Sequence, residues 1–355
     1  MSTPTLSFAQ PLTLAALAAA LRSQEPQRLP VETGAQLRAP YPPQAAPAAG
    51  SPPAHWLLAY ACGTGPEVPP DLVRRLLLLQ AYALSQAPAG APAAKRLLDF
   101  YNREVWPVVY EQGTAETPLA HLSLPLLGLG DVNYQGYRLA AADVLELLGW
   151  PALALPEQEG QQVLGGAAFA LAYATEALER ATHLLRASLV IATLSTEAPA
   201  SDTSPELAQV AQVVEAACNA APAGQLSQAL GKLAGMVAAV GQASAQRTGN
   251  LLAAGSAPAG LLALPGVAAS LADYSQQLSG PAPAAPDVRR VVENTEQLLG
   301  LELLAVARVW ALRQPAHSSP ALAAFGGIVN FAAPDRLLAP DLHRAARFVR
   351  EYEWA

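Results

Sequence analysis

The stretch VRRVVENTEQLLGLELLAVARVWALR, residues 288–313, carries Val291, Thr295, Leu298, Leu299, Glu302, Leu303, Val306 and Trp310 at helical spacing. A stripe this apolar must be covered by other elements. Glu302 falls inside it. A carboxylate so placed is either functional or held by an arginine across a helix interface. Pairing is the expected case, because charges survive burial when they are paired.

Residues 165–195 read the same way. Leu171, Leu178 and Leu185 recur at heptad spacing with Ala174, Ala181 and Ser188 between them, a leucine ridge beside small residues that lets neighbouring helices approach. Glu176 with Arg180 and Glu179 with His183 are expected as i,i+4 pairs on a solvated flank. Between the blocks stand proline-rich breaks at 39–54, 196–206, 219–224, 255–260 and 279–287, none of which can continue a helix. Of the 355 residues, 52% are hydrophobic but only 6% aromatic, and alanine and leucine dominate; this favours helices over strands. The expected fold is mainly α, a long-helix bundle. A single strand signal, DVNYQGYRL at 131–139, alternates around Gln135-Gly136 and predicts a small β-hairpin. The expected organisation is an N-terminal helical region over 1–140 and the long-helix bundle over 141–355, joined as one continuous fold.

A net charge of -7 without a Lys/Arg cluster argues against nucleic acid or an anionic membrane as partner. Cys62 and Cys218 have no CxxC or CxH neighbour, so they are expected as reduced, packed thiols of a cytoplasmic protein. The N-terminus lacks the basic start of a secretory signal, and residues 163–194 hold too many charges for a membrane span. His55, His183, His317 and His343 show no metal-ligand spacing, and Lys95 and Lys232, the only lysines, have no phosphate-loop setting; no metal or other cofactor is expected. GTG at 63–65 and GLG at 128–130 lack a strand-loop-helix context and read as turns.

Several segments together carry a resemblance. LLAYACGTGPEVPPDLVRRLLLLQAYALSQAPAG (57–90), LDFYNREVWPVVYEQGT (98–114) and PLAHLSLPLLGLGDVNYQG (118–136) are followed by QEGQQVLGG (158–166), GQASAQRTGNLL (241–252), ADYSQQL (272–278), RRVVENTEQLLGLELL (289–304) and DRLLAPD (335–341). In this order they resemble the histidine and aromatic amino-acid ammonia-lyases. The resemblance implies a bundle of long helices assembled as a homo-oligomer, dimer or tetramer, and a methylidene-imidazolone electrophile built from an Ala-Ser-Gly loop.

This chain departs from that pattern where the chemistry sits. Its loop runs Gly113-Thr114 directly into Ala115-Glu116-Thr117-Pro118, and no Ala-Ser-Gly occurs anywhere in the 355 residues. In LPVETGAQLRAP (29–40), Leu29 stands where the resemblance places a catalytic tyrosine, and Ala35 replaces a phenylalanine. Gly165 takes the place of a substrate-binding asparagine and Gln158 that of a lysine. The segments 195–224 and 280–289 lack the polar groups expected there.

Losing electrophile, base and carboxylate clamp together while keeping the helices points to a non-catalytic scaffold or partner subunit, self-associated or bound to another protein. The alternative is a lyase-like enzyme or aromatic-ligand binder that uses the remnant pocket without the electrophile. Its candidate residues are Tyr110, Glu111, Thr114, Glu116 and His121, since an imidazole and a carboxylate make a workable acid/base pair where they converge. The plainer expectation is that His121 packs as structure and that Glu111 and Glu116 are solvated loop residues.

Overall fold

The proline-rich breaks set the helix boundaries. In the computed structural model, which describes residues 6–23, 25–29, 55–87, 91–155, 157–196, 203–219, 223–253, 261–313, 319–330 and 337–354, helices end at Thr196, Cys218, Ala253 and Leu278 and the next begin at Ser204, Ala223, Leu264 and Ala285, on either side of the expected breaks. The breaks at 39–54 and 255–260 and the loop at 30–40 lie outside the described residues, as do 197–202 and 220–222 within two of the other breaks. The chain divides into two compact units, Met1–Tyr173 with Val214–Ala223, and Ala174–Val213 with Gly224–Ala355.

The first unit contains α1 (Leu14–Arg22), α2 (His55–Tyr60), β1 (Thr64–Glu67), α3 (Pro70–Ser85), α4 (Ala91–Asn102), β2 (Trp106–Pro107), β3 (Tyr110–Gln112), α5 (Thr117–Ser123), β4 (Asp131–Tyr134), β5 (Tyr137–Ala140), α6 (Ala141–Leu147) and α7 (Glu157–Leu164). α3 starts with Pro70 in its first turn, where no backbone donor is lost, and buries Leu72, Val73, Leu76, Leu77, Leu78 and Leu79. Its Tyr82 hydroxyl binds the Asn219 side chain at 2.8 Å, and Asn219 in turn holds both the N–H and the carbonyl of Leu12, tying the N-terminal segment down.

The expected hairpin is present as β4 and β5, paired from Asp131↔Ala140 to Tyr134↔Tyr137. Gln135 (φ 52°) and Gly136 (φ 83°) both take the left-handed conformation that a two-residue hairpin turn with the right twist requires. The structure adds what the sequence left unseen: β2 extends the hairpin to three strands, and β1 pairs with β3 as a separate ladder. These strands are two to four residues long, too short for alternation to register.

The second unit is built from long helices: α8 (Ala168–Thr196) from Ala174 onward, α9 (Ser204–Cys218) up to Val213, α10 (Ala223–Ala253) from Gly224, α11 (Leu264–Leu278), α12 (Ala285–Arg313), α13 (Pro320–Gly326) and α14 (Ala339–Glu351). Part of its core joins Ala245, Leu252, Leu264, Ala268, Leu298, Leu301 and Ala305 from α10, α11 and α12. Small residues bring the backbones together. A Cβ added at Gly300 would lie 2.7 Å from the Ala346 nitrogen, so only glycine allows α14 to cross α12 there. The stripe on α12 is buried as expected from Val291 to Val306, with Val291, Thr295, Leu298, Leu299, Glu302, Leu303 and Val306 wholly inaccessible, whereas Trp310 at its end is only partly buried.

Glu302 is held as its burial demands. Arg247 of α10 grips both carboxylate oxygens, at 2.6 and 2.9 Å, and the Ser195 hydroxyl donates to the first of them. The pair Glu176 and Arg180 corrects the surface expectation. They meet at 2.8 Å, but Glu176 is buried, and Arg180 also binds Glu296 of α12 at 2.7 and 2.9 Å. Arg289 adds a 2.8 Å contact to Glu293, and Glu293 also approaches Arg180. α12 covers that flank of α8, so the charges become an interhelical network, which one helix read alone cannot reveal. Burial opposes the Arg180 charge, but the hydrogen bond to Glu296 and the field of Glu176 outweigh it and raise its pKa above the ordinary arginine value. Leu178 and Leu185 are also buried inside the chain, so the ridge is core and not a surface for association. Among the described residues, no helix is long and apolar enough to cross a membrane.

Candidate functional site

The five residues singled out from the sequence lie on β3, on the turn after it and on α5. α5 is seated by a small apolar cluster of Leu57, Ala120, Leu124 and Leu164. With Ala120 turned into that cluster, His121 meets the loop between α2 and β1. The Gly63 N–H donates to His121 Nε2 at 3.0 Å, which makes Nε2 the acceptor and places the proton of the neutral ring on Nδ1. Burial lowers the imidazole pKa, in keeping with this neutral state. Only glycine fits at 63, since a Cβ there would stand 2.9 Å from Nε2 and 3.0 Å from Tyr110 Cβ.

Tyr110 is brought to His121, ring to ring, edge-on at 5.1 Å between centroids. Its hydroxyl accepts from Arg138 at 3.3 Å, and Arg138 also reaches Glu67 at 2.6 Å and Asp131 at 2.9 Å. The Tyr110 hydrogen bond, then the one to Asp131, raise the Arg138 pKa, though the group is exposed and the pairs are solvent-screened.

Glu111 faces a different way. Tyr173, wholly buried at the start of α8, donates its hydroxyl to Glu111 Oε1 at 2.9 Å. This residue escaped the sequence reading, although a lone tyrosine in the Ala/Leu run FALAYA was its one visible signal. The turn from β3 to α5 closes on itself. Thr114 N–H donates to Thr117 Oγ1 at 3.1 Å, the two hydroxyls are also 3.1 Å apart, and a Cβ at Gly113 would strike Thr117 at 2.6 Å. Glu116 occupies the N-cap of α5 without a side-chain capping bond, and no hydrogen bond joins it to His121.

The acid/base pair envisaged from His121 and Glu116 is therefore not assembled; Tyr110 with His121 and Tyr173 with Glu111 are. His121 already uses the ring nitrogen with a free lone pair, so removing a substrate proton there would break the Gly63 contact. Gly113, Thr114, Ala115 and Glu116 form a turn closed by Thr117, and no Ala-Ser-Gly occurs among them. Among the described residues, no group of three or more His, Cys, Asp and Glu gathers to hold a metal ion. Leu29 is half-buried, Gly165 is exposed, and the rest of the 29–40 segment, with Ala35, lies outside the described residues. Cys62 corrects the expectation of a packed thiol, since it is exposed in the loop ahead of β1, whereas Cys218 is buried. Burial, with Glu215 nearby, pushes the Cys218 thiol up to about 12.

Known proteins share this arrangement of elements. The histidine ammonia-lyase of Trypanosoma cruzi superposes with a TM-score of 0.79 over 96% of this chain and 92% of its own, at 19% identity. A tyrosine aminomutase from Streptomyces globisporus does so with a TM-score of 0.82 over 99% of this chain and 97% of its own, at 14% identity. At such identities the likeness is one of fold. In sequence, a histidine ammonia-lyase of Legionella pneumophila (strain Lens) is 35% identical over 156 residues, 42% of this chain. That match spans only 31% of the Legionella protein. The family model of the aromatic amino acid lyases matches residues 52–251, more than half of the chain, including Gly63, Tyr110 to His121 and Tyr173 but not the 29–40 segment. With the fold and more than half of its sequence both following that pattern, the chain belongs to the aromatic amino acid lyase family.

Proposed function

We propose that the chain is a non-catalytic member of its family, a helical scaffold or partner subunit that works as a homo-oligomer. The observation that carries this reading is the internal pairing of the remnant loop. His121 is engaged by Gly63, Glu111 by Tyr173 and Thr114 by Thr117, so the groups that a reaction needs are satisfied by the fold itself. The absence of Ala-Ser-Gly from the 355 residues and the presence of Leu29 where the resemblance calls for tyrosine support it. For association, Val267 and Tyr274, seven residues apart on α11, and Leu262 just before it leave apolar side chains exposed. The exposed thiol of Cys62 suits the reducing cytoplasm.

Purified protein tests this directly. Neither urocanate, cinnamate nor coumarate is expected to form from histidine, phenylalanine or tyrosine. The intact mass should equal that of the unmodified chain, because forming the electrophile removes two waters from the backbone. Product above a blank, or a chain lighter by two waters, overturns the reading. Light scattering should report a dimer or tetramer; a monomer at micromolar concentration overturns the assembly.

A further inference from the structure

The second unit holds a cleft of its own, between α13 and α14. It encloses about 590 Å³, with Ala324, Ile328, Phe348 and Tyr352 on its apolar side and Arg344, Arg347 and Glu351 on its rim. That volume suits a small molecule.

Helix periodicity shapes one wall. Arg344, Arg347, Phe348 and Glu351 stand at i, i+3, i+4 and i+7 of α14, so a single face of that helix supplies them all. The opposite wall comes from Ala324 in the last turn of α13 and from Ile328 just beyond it, where the Ile328 N–H donates to the Phe325 carbonyl at 2.9 Å and prolongs the turn. Ile328 remains 48% exposed.

The aromatic rings of the cleft are engaged with one another. Phe348 stacks on Tyr352 at 4.7 Å between centroids and packs against Phe325 and Trp354 at 5.3 and 5.8 Å, which leaves it 6% exposed. Trp354 also meets the Tyr352 ring edge-on at 4.9 Å. A flat ring would find no pair of free faces to enter. A flexible chain can lie along Ile328, Ala324 and the ring edges, flanked by the arginine methylenes.

On the rim, positive charge is in excess. Arg347 meets Glu351 through Nε alone, at 2.9 and 3.0 Å, and Arg344 reaches Asp341 through Nη1 alone, at 3.2 Å. Their other guanidinium N–H groups make no hydrogen bond to a described residue. The Asp341 side chain is 4% exposed and does not line the cleft, so two guanidiniums there face the single carboxylate of Glu351.

We propose that this cleft binds a medium-chain alkyl carboxylate, with Arg344 and Arg347 taking the carboxylate and Ile328, Ala324 and the Phe348–Tyr352 edge taking the chain. The span from Arg344 to Glu351 is roughly 10.5 Å along the helix, the reach of about eight carbons. Because the rim is exposed, the affinity belongs in the range of roughly 0.1–1 mM. The proposal is independent of whether the chain is catalytic.

Isothermal titration of the full chain with octanoate tests it. Hexanoate should bind about four- to fifteenfold more weakly, because two methylenes leave the apolar side. Octanol and octylamine, of the same length without the negative charge, should each bind at least about threefold more weakly than octanoate. Arg347→Gln should weaken octanoate about two- to fivefold and leave octanol unchanged, whereas Glu351→Gln should tighten octanoate. Ile328→Ser should weaken both. All three positions are exposed, so the variants should keep the parent circular dichroism. No saturable binding of octanoate up to about 10 mM, far above the expected range, overturns the proposal. A smaller oligomer for Ile328→Ser in light scattering would then assign the groove to a second copy of the chain. Octanol, octylamine or 3-phenylpropionate binding as tightly as octanoate also overturns it, as does octanoate binding unchanged in both Arg347→Gln and Ile328→Ser.

Discussion

Gly63 and His121, 58 residues apart, are joined by a 3.0 Å hydrogen bond from the glycine N–H to the imidazole Nε2. The bond exists only while the ring is neutral, and burial lowers the ring's pKa below its ordinary 6.5. Above pH 6.5 the ring is neutral in both folded and unfolded chains, and the full stability is present. As pH falls through about 6.5, the unfolded chain takes up its proton first and stability is lost, until the folded pKa is passed. The melting temperature of the parent protein should therefore drop more between pH 7.5 and 5 than that of His121→Asn. Parallel curves refute the assignment. At pH 7.5, His121→Ala should lose about 1–2 kcal/mol through the missing bond and ring contact.

Gly63→Ala tests the same contact from its other side. The new methyl group would sit 2.9 Å from the imidazole nitrogen and 3.0 Å from Tyr110 Cβ, both at least partly fixed by their surroundings. Urea unfolding should show a loss of about 1–3 kcal/mol. A neutral effect would mean that the loop ahead of β1 moves freely.

Much of this was legible in advance. The 288–313 stripe announced a buried helix and even a paired Glu302, because both follow from local spacing and the penalty of an unpaired buried charge. The hairpin at 131–140 announced itself through alternation around Gln135-Gly136. What stayed hidden depends on partners distant in the chain. Nothing near Glu111 signals Tyr173, 62 residues away, and nothing near Glu176 signals that Glu296 and Arg289 will lie against Arg180 and its neighbours. Likewise, the choice of a backbone N–H over Glu116 as the partner of His121 is a matter of how α5 is rotated, which the Leu57–Leu124 packing decides.

Arg247→Met leaves Glu302 wholly buried with the Ser195 hydroxyl as its remaining donor among the described residues. The expected loss is about 3–5 kcal/mol. Adding Glu302→Leu should return most of it, because two apolar groups then replace two charges. Chemical denaturation of both variants gives the comparison, and a double variant no more stable than the single would show that the pair is worth more than its desolvation penalty.

Leu178 is 5% exposed, so Leu178→Glu drives a charge into the core of the chain. A loss of about 3–5 kcal/mol is expected, seen as unfolding by circular dichroism. A variant that keeps its helicity but becomes monomeric would place the ridge at a subunit contact instead.

The two thiols should separate under native conditions. Cys62 is exposed and Cys218 is buried with its thiol pushed up to about 12, so maleimide at pH 7 should add to one site per chain, and to two only after denaturation. Peptide mapping should locate the first adduct at Cys62; rapid native labelling of Cys218 would contradict the packing of α9.

The Glu302–Arg247–Ser195 contact also bears on uniqueness. Helices made largely of leucine and alanine present ridges that fit one another at many offsets, and sliding α12 by two turns, roughly 10.5 Å, would put other leucines in nearly equivalent holes. Such a slip would carry the one wholly buried carboxylate of α12 away from both its donors. The charge thus acts as an index mark, selecting a single axial alignment from a set that apolar packing alone leaves almost degenerate.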